Sequence, residues 1–199
     1  MTLEEEVVKI CQDLIRIPSV NFGDGKGDEK AVAEYVVASL AEVGVSSTIY
    51  ESAPNRCNVV AMIDGVNPDR AGLVVHGHLD VVPANQDGWT VDPFAGVVKE
   101  GYVWGRGAVD MKGALAVQVG VIRLLCARAR AAGLNPAKDP IPGLRRDIIL
   151  TATADEETGG LNGIALVLKD RKHWLDAAVG LTEAQVRFKG VAPVEEREG

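Results

Sequence analysis

Leu3, Val7, Ile10, Cys11, Leu14 and Ile15 recur at helical spacing and Pro18 ends the run, so the pattern predicts an amphipathic helix over residues 2–16. After the loop NFGDGKGD, Asp28 is placed to cap a second helix whose Val32, Tyr35, Val36, Leu40 and Val43 share a face, with Gly44 as its stop. The period then changes. VSSTIYE (45–51) and NVVAMID (58–64) are rich in β-branched residues, and LVVHGHL (73–79) is a short apolar run of the kind buried on both faces of a sheet. GVVKEGYVWG (96–105) reads as a hairpin turning at Glu100 and Gly101. A long, mostly apolar helix is predicted over 111–132, and the three prolines of NPAKDPIPG mark a loop. DIILTATA (147–154) is a further buried strand, followed by a glycine turn, a helix at about 160–171 and a strand, DAAVGLT, at 176–182. Strands and helices in alternation predict an α/β class with a largely parallel sheet flanked by helices in three layers.

Composition narrows the possibilities. The 199 residues suit one domain or slightly more, and 47% hydrophobic residues are ample for a continuous core. A net charge of -7, without clustered Lys and Arg, argues against nucleic acid as a partner. The opening MTLEEEVVKICQDLIRIPSV is acidic where a signal peptide is basic, and it has no uninterrupted apolar segment. The longest apolar stretch, GALAVQVGVIRLL (113–125), is broken by Gln118 and Arg123 and falls short of the ~20 residues needed to cross a bilayer. Cys11, Cys57 and Cys126 are odd in number and widely spaced, which favours reduced core thiols and a cytoplasmic location. Neither GxGxxG nor GxxxxGK[ST] occurs, so the polar clusters call for chemistry other than phosphate binding.

Three clusters carry that chemistry. HGHLDVVP (76–83) puts His76, His78 and Asp80 at the C-terminal end of a predicted buried strand, the edge where open α/β sheets bind ligands. His78 and Asp80 share one side and suit a carboxylate–histidine–metal relay, although an isolated HxD more often marks a core histidine with a carboxylate partner. WGRGAVDMKG (104–113) sets Asp110 just before an apolar helix, where it serves equally as an N-cap. ADEETGG (154–160) lines up Asp155, Glu156 and Glu157 behind a buried strand; unless this is simply a solvated acidic turn, such a row requires a cation to offset its repulsion. Delivered together to one sheet edge, these groups form a hard oxygen and nitrogen donor set suited to zinc, manganese or cobalt.

In order and spacing, HGHLDVVP, the W-x-x-x-P-F of Trp89–Phe94, EGYVWGRGAVDMKG and DEETGG resemble the zinc metallopeptidases and deacylases that include acetylornithine deacetylase, succinyl-diaminopimelate desuccinylase, aminoacylase and glutamate carboxypeptidase. The resemblance runs from the first helix to about Glu183. It implies a zinc-exopeptidase-like fold and two divalent metal ions, with His78 and Glu183 on one, Glu157 on the other, and Asp110 bridging them. It further implies that Glu156 is the general base, that Asp80 orients His78, and that the peptide between Asp110 and Met111 is cis. The substrate expected is a small N-acyl amino acid or dipeptide, cleaved at its amide bond by a metal-activated water. Glu183 is followed by Ala184 and Gln185 where the family usually has Pro-Thr. His76 is read as supporting rather than ligating, and His173 as a surface residue.

The family also has a distal histidine for its second metal site and an inserted lid and dimerisation domain, and full-length relatives are expected to be homodimers. The chain is therefore expected to hold a catalytic metal-binding region over 1–185 and a polar, truncated tail over 186–199. An inactive remnant that binds metal or a partner protein is the alternative expectation.

Overall fold

A computed structural model describes residues 2–23, 25–171, 175 and 177–182. The first helix, α1 (Leu3–Arg16), starts at a capping box in which Thr2 Oγ1 accepts from Glu5 N–H and the Glu5 carboxylate accepts from Thr2 N–H. Its first turn carries Glu4, Glu5 and Glu6, which complement the positive end of the helix dipole. The second helix, α2 (Lys30–Ala41), begins one residue later than Asp28 as its N-cap implies. Glu29 occupies the N-cap without a side-chain cap bond, and Asp28 instead accepts from Lys30 N–H at 3.2 Å.

The strands are β1 (Ser47–Ala53), β2 (Arg56–Ile63), β3 (Gly72–His78), the short hairpin pair β4 (Val97–Lys99) and β5 (Tyr102–Trp104), β6 (Ile148–Thr153) and β7 (Ala177–Leu181). Five of them form one sheet in the order β1-β2-β6-β3-β7. β6, β3 and β7 run parallel, whereas β1 and β2 join the β6 side antiparallel. Alternation along the strands divides the core. Val59, Ala61, Ile63, Leu150 and Ala152 face one way into the main cluster with α1, α2 and the long helix α3 (Lys112–Ala131). Val60 and Ile149 face the other way, where Val167 of α4 (Ile164–Asp170) covers them. Helices thus lie on both faces of the sheet, as the alternating pattern predicts.

The helix predicted from about residue 160 starts only at Ile164, because Gly159 and Gly160 adopt positive φ (104° and 68°) and continue the preceding turn. Lys112 is fully buried yet satisfied: its Nζ donates to the carbonyls of Leu14 (2.9 Å) and Ile17 (2.8 Å). Both carbonyls lie at the end of α1, where helical donors run out and Leu14 O otherwise accepts only from the Ile17 N–H at 3.3 Å. The start of α3, two residues after Asp110, is thereby docked onto α1.

Candidate metal centre

β3 and β6 pair in parallel with His78 level with Thr153, so the segments that leave both strands emerge at the same sheet edge. His78 is completely buried there. Its Nδ1 lies 2.9 Å from the Asp80 backbone carbonyl and 3.4 Å from the Asp80 carboxylate. Its Nε2 lies 2.9 Å from Asp110 Oδ1 and 3.7 Å from Glu156 Oε2. His78 and Asp80, paired in the HxD motif, do touch, with the Asp80 carbonyl nearer the ring than its carboxylate. With Nδ1–H committed to that carbonyl, Nε2 is the nitrogen available to a ligand.

Asp110 arrives from the loop before α3, through a peptide bond to Met111 that is cis. It does not cap the helix; Met111 occupies that position, and no side chain caps it. One ligand atom each from His78, Asp110 and Glu157 lies within 4.8 Å of the others, the only such group among the described residues. The group is graded in exposure: the His78 ring is sealed, while the side chains of Asp110 and Glu156 are 64% and 38% exposed. Glu183 and His173 lie outside the described residues. His76 is not part of the group, since its Nε2 meets Thr153 Oγ1 at 3.0 Å.

Electrostatics favour a cation at this point. Burial opposes charge on His78, but the hydrogen bonds and charges of Asp80 and Asp110 outweigh it and raise its pKa to about 10. The Glu157 carboxyl is pushed up by burial and by the negative charges of Asp110, Asp80 and Glu156, against the pull of His78. An Nε2 atom facing carboxylates needs either a proton or a metal ion between them, and the nitrogen and oxygen donors suit a divalent metal.

Beneath the donors, Asp80 organises the acidic turn. Its carboxylate accepts from Asn21 Nδ2 at 2.8 Å and from the backbone N–H groups of Glu156 and Glu157, both at 3.1 Å. Burial works against ionised Asp80, but these donors and His78 hold its pKa below the usual carboxylate range. Asn21 is itself fixed by pairing of the Ser19–Asn21 segment with Val81. Changing Asp80 to Asn leaves one acceptor oxygen where two were used and introduces an NH2 group facing N–H donors. Metal affinity is expected to fall about 10- to 100-fold, the usual cost of losing a partner that supports the ligands. A Co2+ titration of the variant checks this, and parent-like affinity would remove Asp80 from that role.

Of the three consecutive carboxylates, Asp155 is the one whose role the motif alone does not explain. It turns inward at φ 66° and accepts from Thr158 Oγ1 (2.6 Å), Asn162 N–H (2.9 Å) and the Arg56 guanidinium. Burial opposes its charge, but Thr158, Asn162, Arg56 and Asn21 together lower its pKa. Arg56 touches Asp155 and Glu29, and Asn21 touches Asp80, contacts that the motif pattern does not single out. The available signal is a charged residue opening the mostly apolar run RCNVVAMI.

Residues 74–191 match the model of peptidase family M20/M25/M40. Succinyl-diaminopimelate desuccinylase of Methylobacterium sp. (strain 4-46) is 35% identical over 162 residues, 80% of this chain and 37% of that protein. The N-fatty-acyl-amino acid synthase/hydrolase PM20D1 of Mus musculus is 30% identical over 166 residues, 80% of this chain and 31% of that protein. The chain thus spans roughly a third of the length of these curated relatives. Among solved structures, an M20 family metallo-carboxypeptidase, Sso-CP2 of Sulfolobus solfataricus, superposes with a TM-score of 0.70 at 23% identity, over 89% of this chain and 37% of that one. Human carnosine dipeptidase 1 does so with a TM-score of 0.69 at 20% identity, over 90% and 38%. No helix among the described residues is long and apolar enough to cross a membrane. With the family model matched over more than half of its length, the chain belongs to peptidase family M20/M25/M40, whose members act on peptide and amide bonds.

Proposed function

We propose that this chain carries the metal-binding part of a hydrolase that cleaves the amide bond of small N-acyl amino acids or dipeptides. The observation that supports it best is the meeting of His78, Asp110 and Glu157 from three separate segments, with Glu156 alongside. In this reading residues 1–185 form the catalytic region. His78 and Glu183 would hold one metal, Glu157 would belong to the other, and Asp110 would serve both. Zinc is the metal proposed, and cobalt or manganese suits the same donors.

A divalent metal bound at these donors supplies Lewis acidity toward water and the scissile carbonyl. The protein's own groups do the remaining work. Glu156, half-exposed beside the His78 ring, takes a proton from the attacking water and returns it to the leaving nitrogen. Its backbone N–H is held by Asp80, which keeps this base beside the His78 ring. The Asp80 carbonyl keeps the His78 ring oriented throughout. The products are a free amino acid and either a carboxylic acid or a second amino acid.

The test is to load purified chain with Zn2+ or Co2+ and assay amine release from a panel of N-acyl amino acids and dipeptides. Metal-dependent turnover is the expected result, and metal uptake without turnover on any of them would sink the enzyme reading for this chain. A second reading, a metal-binding chain that does not turn over, draws on the chain's short span relative to the curated proteins it matches. The same assay separates the two.

A further inference from the structure

Arg56 is 1% exposed at the start of β2, and its guanidinium lies between two buried carboxylates. Nη1 is 3.1 Å from Glu29 Oε1, and Nη2 donates to Asp155 Oδ1. Glu29 is fully buried and Asp155 is 5% exposed. Gly27 makes room for the arrangement, since a Cβ there would fall 1.1 Å from Arg56 Nη1. Asp155, Glu156 and Glu157 are thereby sorted onto two sides of one turn. Asp155 points down to Arg56, while the next two residues present their N–H groups to Asp80 and their carboxylates to the His78 side.

We propose that Arg56 is a positioning residue of the metal centre, neutralising Asp155 from below so that the turn can hold Glu156 and Glu157 against Asp80. The proposal rests on the metal-centre reading above. Without Arg56, Asp155 is a buried negative charge beside two more carboxylates, and the way to relieve it is to rotate toward water. That rotation breaks the bonds Asp155 accepts from Thr158 Oγ1 and from Asn162 N and Nδ2, and it carries Glu157 away from His78 and Asp110. A purely structural strut would predict lower stability without any specific change at the metal.

The test measures Co2+ affinity by titration and the Co2+ d–d absorption, on protein whose fold is verified by circular dichroism. Arg56→Met is expected to bind Co2+ at least tenfold more weakly, with altered bands. The triple variant Arg56→Met/Glu29→Gln/Asp155→Asn replaces the whole buried ionisable group at once and is expected to return to within about threefold of the parent, as replacing a whole buried ionic group is tolerated where breaking one is not. Folded Arg56→Met that binds Co2+ as the parent does, or a folded triple variant as weak as Arg56→Met, overturns the proposal. If Arg56→Met does not fold, Arg56→Lys decides: it keeps the charge but loses the two-pronged geometry, so at least threefold weaker binding with shifted bands is expected, and parent-like binding overturns it. Failure of the parent itself to take up Co2+ overturns the metal-centre reading and this inference with it. Normal uptake that is indifferent to Arg56 overturns the inference alone.

Discussion

Asp110→Ala is expected to lose metal almost completely while leaving the fold intact. Asp110 stands 2.9 Å from His78 Nε2, is mostly exposed, and caps nothing, since α3 begins from Met111. Surface changes away from caps and cores usually alter stability by no more than about 0.5 kcal/mol, so the metal-free variant should melt close to the parent. Its effect on metal is of another order. On the proposed reading Asp110 is itself a ligand, so affinity should fall by more than the roughly 100-fold that marks the upper end for outer partners. Isothermal titration with Zn2+ or Co2+ reads the difference, and affinity within threefold of the parent would show that Asp110 is not a ligand.

Glu156→Gln is expected to separate binding from chemistry. Glutamine is nearly isosteric and keeps the backbone N–H that donates to Asp80, so the acidic turn should survive. It lacks, however, a group able to take up a proton at neutral pH. General-base catalysis contributes about 10²- to 10⁴-fold, and hydrolysis should fall by that amount while Co2+ affinity stays within a few-fold of the parent. Normal hydrolysis by the variant would remove Glu156 from the role of base. A joint loss of metal and activity would make it a ligand.

The order of elements was legible because burial imposes a period that can be read locally: 3.6 residues through Leu3–Ile15, and short apolar runs at 73–79 and 147–154. The sheet order was not. β6 inserts between β2 and β3, about 85 and 70 residues from its two neighbours, and no local pattern encodes that choice. The meeting of three side chains at one sheet edge was legible for a different reason. His78, Asp110 and Glu157 lie at element ends inside short glycine-containing motifs whose order and spacing are specific. Their supports were hidden because each acts at a distance. Asn21 reaches Asp80 from 59 residues away and Arg56 reaches Asp155 from 99. The row of carboxylates after β6 did announce that a cation was required. For Asp155 that cation is a guanidinium in the core, which only the paired strands reveal.

The parallel pairing of β3 with β6 also determines when the site can exist. Residues 78 and 157 come within reach of one another only after a connection of some 70 residues has closed, a non-local step of the kind that forms slowly. Metal ions offered to the unfolded chain find no assembled donor set, so they cannot hasten the search for it. Once the strands have paired, a bound ion ties three distant segments together, and opening any one of them must first release it. The lifetime of the folded chain, more than its rate of formation, is therefore what added metal should change.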